Sequence, residues 1–150
     1  MAKKRTSRVV NPRFAKSEEY RGVIDTINTI GKCPFCPDNF RYHKKPILKK
    51  LNGWIFTENS WPYKNAQRHF LIIAPRHKET LSELTAKDLK TILQLSRWAV
   101  KKYCIRGGAL TLRFGESDLT GATVSHLHAH LISPVTNKAG VAKTVNFPIG

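Results

Sequence analysis

Three histidines stand at alternate positions near the C-terminal end of the chain, in Ser125-His126-Leu127-His128-Ala129-His130-Leu131-Ile132. Side chains alternate faces along a strand, so this spacing predicts His126, His128 and His130 on one face and Leu127, Ala129 and Leu131 on the other. An apolar face backed by three imidazoles is poorly explained as packing alone. One metal collecting all three would make a metallohydrolase. At about 3.3 Å rise per residue, however, the outer two lie about 13 Å apart at the backbone, whereas Zn–N bonds are only about 2.0–2.1 Å. A tight three-histidine site on one straight strand is therefore strained, and one outer histidine can serve a metal while the other two do something else. Neutral imidazole is nucleophilic near pH 7 without special activation, unlike a serine hydroxyl.

A second cluster of reactive side chains is Cys33-Pro34-Phe35-Cys36. A lone C-x-x-C serves either zinc or redox chemistry. Here it follows a predicted helix and a glycine, with no thioredoxin-like βαβ pattern around it. Zinc is favoured, because two thiolates from one tight knuckle occupy two corners of a tetrahedron. His77 and His126 are the candidates for the other two corners. Cys104 is expected inside a helix as a small apolar residue. Just before the histidines, residues 115–124 (Gly-Glu-Ser-Asp-Leu-Thr-Gly-Ala-Thr-Val) form a turn. Its small and hydroxylated residues let backbone approach an anion with N–H and O–H donors aimed at it.

The elements that must position these groups follow from caps and periodicity. Ser17 caps a helix whose apolar positions are Tyr20, Val23, Ile24 and Ile27, ended by Gly31. Residues 47–51 and 54–57 flank Asn52-Gly53, a hairpin signal, since Asn-Gly tolerates the positive backbone angles of a type I′ turn. Residues 69–74 (HFLIIA) read as a strand covered on both faces. Thr85 with Asp88 resembles a helix cap, and Leu89, Ile92, Leu93, Ser96 and Val100 continue one apolar face to an end near Gly107-Gly108. Residues 109–114 and 124–133 are the last strands expected. Strands and helices mix without βαβ alternation, so the fold class is α+β.

The chain has 150 residues, 41% hydrophobic and 24% charged, as expected of one globular domain. Residues 1–16, with six Lys and Arg and no acid, read as a basic flexible arm, and residues 17–150 as a single domain. No apolar run suffices to cross a bilayer, and the basic start has no apolar stretch after it, so neither a membrane protein nor a secreted one is expected. Three cysteines do not make a disulfide scaffold, and a cytoplasmic protein with reduced thiols fits best. Lys and Arg number 26 against 10 Asp and Glu, a net charge of +16. Such an excess suits polyanionic partners such as nucleotides, polyphosphates, nucleic acid or an anionic membrane surface, or simply a solvated basic surface.

Residues 126–132 match the His-φ-His-φ-His-φ-φ pattern (φ apolar) of the histidine-triad family, and the resemblance extends over residues 33–134. The C-x-x-C resembles zinc-containing bacterial members and the related galactose-1-phosphate uridylyltransferases. Residues 59–63 (Asn-Ser-Trp-Pro-Tyr) resemble the segment that contacts the ribose. Residues 69–77 resemble the strand leading to a zinc-binding histidine, and residues 121–124 the phosphate-contacting turn, with Thr123 where relatives often have Ser. Residues 1 to about 30 match nothing in the family.

The resemblance implies a five-stranded antiparallel sheet with two main helices, usually in a homodimer. It implies a nucleotidyl hydrolase or transferase acting on a nucleotide or dinucleotide, such as a dinucleoside polyphosphate, with water or phosphate as acceptor. His128 would be the nucleophile. His130, Thr123 and the Gly121 turn would hold phosphate oxygens, and Asn59 would address the ribose. Structural zinc would sit on Cys33, Cys36, His77 and His126. Gly115 or Phe114 falls where short eukaryotic members carry an asparagine, so that phosphate contact is either absent or supplied by Asn65. Two other readings stay open. One is a nucleic-acid-associated protein acting on adenylylated ends, with Trp61, Tyr63 and Tyr42 as stacking candidates. The other is a nucleotide-binding regulator.

Overall fold

Ser17 accepts a hydrogen bond from the Tyr20 N–H and starts helix α1, Glu18–Ile30, which stops at Gly31 in the left-handed region. This is the helix that the caps predict. The computed structural model describes residues 10–15 and 17–150. The knuckle then leads through a short 3-10 helix, Pro37–Tyr42, into strand β1, Ile47–Leu51. Asn52 and Gly53 both have positive φ (49° and 81°), as a type I′ turn requires, and β2, Trp54–Glu58, returns antiparallel.

Strand β3, Ala66–Ile73, is longer than the apolar run suggests. Helix α2, Ala86–Lys102, opens on a capping box in which Thr85 and Asp88 satisfy each other's backbone N–H. After it come β4, Ala109–Leu112, a four-residue helix α3, Ser117–Thr120, and β5, His128–Pro134. The sheet order is β1-β2-β3-β5-β4, antiparallel throughout, so the α+β class and the five strands are as expected.

The sheet's two faces have different covers. On one, α2 places Ile92, Leu95 and Ala99 on Trp54, Phe56, Phe70, Ile72, Leu127, Ala129 and Leu131. Removing these rings and branched chains from water is the main driving force available to the fold. On the other, Ile55, Leu71 and Ile73 meet Phe35 and Phe40 of the segment that carries the knuckle. A satellite cluster joins Ile24 and Ile27 of α1 to Val10, Ala15, Cys33 and Val124.

Four expectations need correction. β5 begins at His128 and not near 124: Ala74 N–H still reaches the Leu127 carbonyl, but Leu127 N–H turns to the Lys78 carbonyl, which takes the chain before His128 off the ladder. His126 therefore does not share the strand face with His128 and His130. Helix α2 ends at Lys102, and Cys104 is an exposed residue with φ 52° beyond it, neither helical nor packed as an apolar side chain. The turn at 115–121 contains α3, stopped by Gly121 at φ 70°. Of the expected arm, residues 1–9 and 16 lie outside the described residues. Residues 10–15 are docked, with Val10 fully buried and bridged to Val124, and Asn11 N–H bonded to the Thr123 carbonyl.

Candidate active site and metal cluster

Cys33, Cys36, His77 and His126 come together from three parts of the chain, their ligand atoms all within 4.8 Å of one another. His126 Nδ1 lies 3.4 Å from Cys33 Sγ and 3.7 Å from Cys36 Sγ, and His77 Nδ1 lies 3.7 Å from Cys36 Sγ. Tetrahedral zinc, with Zn–S about 2.3 Å and Zn–N about 2.0–2.1 Å, puts sulfur and nitrogen about 3.6 Å apart. The donor set fits. The ring tautomers fit as well. His126 Nε2–H donates to the Ala74 carbonyl at 2.8 Å, and His77 Nε2 meets the Glu79 carboxylate at 2.9 Å, so both rings turn Nδ1 to the cluster. Burial pushes the Cys33 thiol up to about 12, and a coordinated cation is the kind of charge that reverses such a shift. Burial also pushes His126 down to about 4, leaving the neutral form that can ligate.

Two residues further on, the same chain faces a different space. A pocket of about 110 Å³ is lined by His128, His130, Asn59, Gly121 and Thr123, which the sequence points to. Its aromatic walls are Tyr20, Phe35, Trp61 and Tyr63, with the Tyr20 and Trp61 rings stacked 4.9 Å apart. The two rings on β5 lie 4.8 Å apart, as alternation predicts for a shared face. His128 Nδ1–H donates to the His126 carbonyl at 2.7 Å, which leaves the lone pair on Nε2. Burial foremost, then the neighbouring His126 and Arg113, push His128 down to about 4. The ring is neutral over the physiological range, as a nucleophile must be.

His130 is set by a partner that sequence reasoning did not single out. Tyr63 N–H donates to His69 Nδ1 at 3.2 Å, so the His69 proton sits on Nε2. From there it bonds His130 Nδ1 at 2.8 Å, and the His130 proton is thereby placed on Nε2. The pair thus offers one ring nitrogen that donates electrons and one that donates a proton, a matched set for attack on an electrophile bearing anionic oxygens. Asn59 Oδ1 accepts from Trp61 N–H, which turns its Nδ2 onto the His69 ring, 3.2 Å from Nε2 and 3.4 Å from Nδ1, and fixes the amide at the pocket edge.

Asn65 does not join this group. Its side-chain amide donates to the Thr144 carbonyl at 2.8 Å and its carbonyl accepts from Val135 N–H, so it fastens the C-terminal segment and lies off the pocket lining. Arg113, Leu71 and Pro148 line the pocket instead, and sequence reasoning missed them. The charge of Arg113 at the end of a predicted strand beside the anion turn was the one signal available.

A five-stranded antiparallel sheet whose inner strand carries paired imidazoles, with a Cys2His2 cluster at its entry, defines a histidine-triad protein. Residues 32–145 match the family model described as "Scavenger mRNA decapping enzyme C-term binding", and the chain belongs to this branch of the histidine-triad family. Similar solved structures include a HIT family hydrolase from Clostridium thermocellum, at 25% identity over 69% of this chain and 91% of that one, TM-score 0.56. A histidine triad nucleotide-binding protein from Candida albicans shows 20% identity over 79% and 85%, TM-score 0.60. A Zn-bound histidine triad family protein from Mycobacterium smegmatis shows 16% identity over 74% and 80%, TM-score 0.55. No curated protein matches the sequence.

Proposed function

We propose that this protein is a nucleotidyl hydrolase or transferase that cleaves a nucleoside phosphoanhydride, such as a dinucleoside polyphosphate, through a nucleotide carried on His128. The observation that carries the reading is the tautomer pair: His128 with its Nε2 lone pair, beside His130 with its proton on Nε2, in one pocket. Membership in a family that includes hydrolase and nucleotide-binding structures supports it.

His128 Nε2 attacks the α-phosphorus. A P–N bond forms, the P–O bond to the leaving phosphate breaks, and the electron pair departs with that oxygen. His130 Nε2–H and the Thr123 hydroxyl donate to the non-bridging oxygens as charge builds there. Tyr20, Phe35 and Trp61 wall the nucleoside, and Asn59 addresses the ribose. In the second step an acceptor attacks phosphorus from the vacated side and the P–N pair returns to His128. With water as acceptor, its proton is lost to solvent.

Zinc would be held by Cys33, Cys36, His77 and His126. A site with four protein ligands has no open position, so when bound it would brace the knuckle against the entry to β5 and activate no water. Cys33, Cys36 and the two histidines then have structural work, and the chemistry stays with His128 and His130.

The homodimer expected of the family is part of this reading. It is supported by β4, which among the described residues pairs only with β5 and leaves Leu110 exposed, near Leu93 and Val100 of α2. A cytoplasmic setting also remains part of it; among the described residues no helix is long and apolar enough to cross a membrane. A nucleic-acid substrate is a second reading, favoured by one feature: Lys44, ion-paired with Glu19 at 2.7 Å, stands 5.4 Å over the Trp61 ring that stacks on Tyr20. Such binding would fall steeply with salt.

The test is a panel of dinucleoside polyphosphates and adenylylated oligonucleotides, with and without inorganic phosphate, read by product mass. Nucleoside monophosphate as product identifies hydrolysis, and diphosphate formed only with added phosphate identifies phosphorolysis. No turnover of any member would contradict the proposal.

A further inference from the structure

Arg113 carries a charge that the mechanism above does not use. The ladder between β4 and β5 ends at Leu112 opposite Ala129, so the next residue, Arg113, stands across from His128. It is two residues from Thr111, the cross-strand partner of His130, and therefore on the histidine face. Its guanidinium is held in place from three sides. Nη2–H donates to the Tyr63 hydroxyl at 2.6 Å, Nη1–H to the Gly121 carbonyl at 3.1 Å, and the Phe147 ring covers one face at 4.1 Å.

All of these partners are neutral. Among the described residues no carboxylate lies within ion-pair distance of Arg113, although several other Lys and Arg have one. Its Nε–H is buried without a hydrogen-bond partner among the described residues. A guanidinium fixed at a pocket wall with donors to spare and no counter-charge is a recognition element for an anion.

The sheet order says which anion. Three of the aromatic walls, Tyr20, Phe35 and Trp61, come from α1, the knuckle and the β2–β3 connection, β5 with His128 lies next, and Arg113, with the Tyr63 hydroxyl on it, sits on the β4 side. A nucleotide laid with its nucleoside on the aromatic side and its α-phosphorus at His128 sends its leaving group toward β4. We propose that Arg113 binds the leaving phosphates and so selects phosphoanhydrides, whose leaving group is itself a phosphate, over substrates with an uncharged leaving group. A loose phosphoryl-type transition state moves charge toward that group, where the fixed guanidinium meets it. This rests on the nucleotidyl-transfer reading of the pocket.

The experiment is calorimetric titration of the full chain with a methylene-bridged dinucleoside triphosphate, with AMP and with inorganic pyrophosphate. Arg113→Met should weaken the bridged analogue and pyrophosphate by at least about 30-fold, the loss typical of removing one partner of a desolvated charge pair. AMP, which lacks the leaving phosphates, should change by less than about 3-fold. Arg113→Lys should recover part of the difference, since it restores the charge without the fork. Equal losses for all three probes would overturn the proposal in favour of a contact to the α-phosphate or a structural role, and so would unchanged affinities. Pyrophosphate bound through Arg113 in a chain that binds no nucleotide would uphold the anion site and refute the nucleotide reading. Failure of the wild-type chain to bind any probe would refute both. If Arg113→Met does not fold, Arg113→Gln, which removes the charge and retains polar contacts, gives the same readout.

Discussion

The two faces of β5 ask opposite things of one strand. Ala129 and Leu131, with Leu127 just ahead of them, are buried under α2 among Phe56, Phe70 and Leu95, where shape and loss of water decide everything. His128 and His130 look the other way into a pocket walled by aromatic rings and are held by hydrogen bonds to the His126 carbonyl and to His69. Precision on the reactive side comes from rigidity on the packed side: a ring nitrogen can be aimed only if the backbone between two aimed rings does not move. Variants on the two faces should therefore separate activity from stability.

The largest effect is expected at His128, the proposed nucleophile. His128→Ala should lower kcat by about 10⁴-fold or more while nucleotide affinity and melting temperature stay close to wild type, because chemistry is removed more than ground-state binding. Steady-state kinetics with calorimetric binding checks this. Cys36→Ser comes next and acts at the junction between the faces. It should lose bound zinc and more than about 10 °C in melting temperature, since metal binding is coupled to folding. Metal analysis of reduced protein together with a thermal melt would show it, and a zinc content unchanged from wild type would remove Cys36 from the site. On the packed face, Leu127→Ala should cost about 2–5 kcal/mol of stability by denaturant titration. Its turnover per folded molecule should fall far less than that of His128→Ala.

How much of this could be read from the sequence depends on range. Ser17, Thr85 with Asp88, and Asn52-Gly53 announce local structure through contacts within four residues, and each does in the fold what its type predicts. The alternation at 126–130 put His128 and His130 on one face, as the fold does, but overextended the strand. Nothing local in the residues shows that Lys78 and Ala74 will take the Leu127 backbone groups and turn His126 toward the cysteines. His69, 61 residues from His130, reads locally as one more strand position, and its role exists only once β3 and β5 pair. Arg113 and Phe147 meet across 34 positions for the same kind of reason, and Asn65, plausible by type, is instead turned to the Thr144 carbonyl.

The smallest expected effect sharpens the comparison from the packed side. Asp88 caps α2 and ties it to the sheet, accepting from Thr85 N–H, from Lys78 Nζ at 2.8 Å and from Trp54 Nε1 at 3.1 Å. Burial alone would raise its carboxyl, but these donors hold it well below the ordinary carboxylate range. A carboxyl lowered in the folded state contributes stability that is present above the unfolded value, near about 4, and is lost as pH falls below it. Asp88→Asn should therefore lose about 1 kcal/mol at pH 7, a difference that narrows as pH falls below about 4. Denaturant titrations at pH 7, 5 and 3 read it, and a difference independent of pH would contradict the assignment.

The central claim is that the neutral His128 ring becomes covalently nucleotidylated. Rapid quenching of a single turnover under alkaline conditions, followed by intact mass and peptide mapping, tests it most directly. One added nucleotidyl mass on His128, stable in base and lost in acid as a phosphoramidate is, is the predicted result. A label confined to another residue would contradict the account, as would turnover near the wild-type rate in His128→Ala.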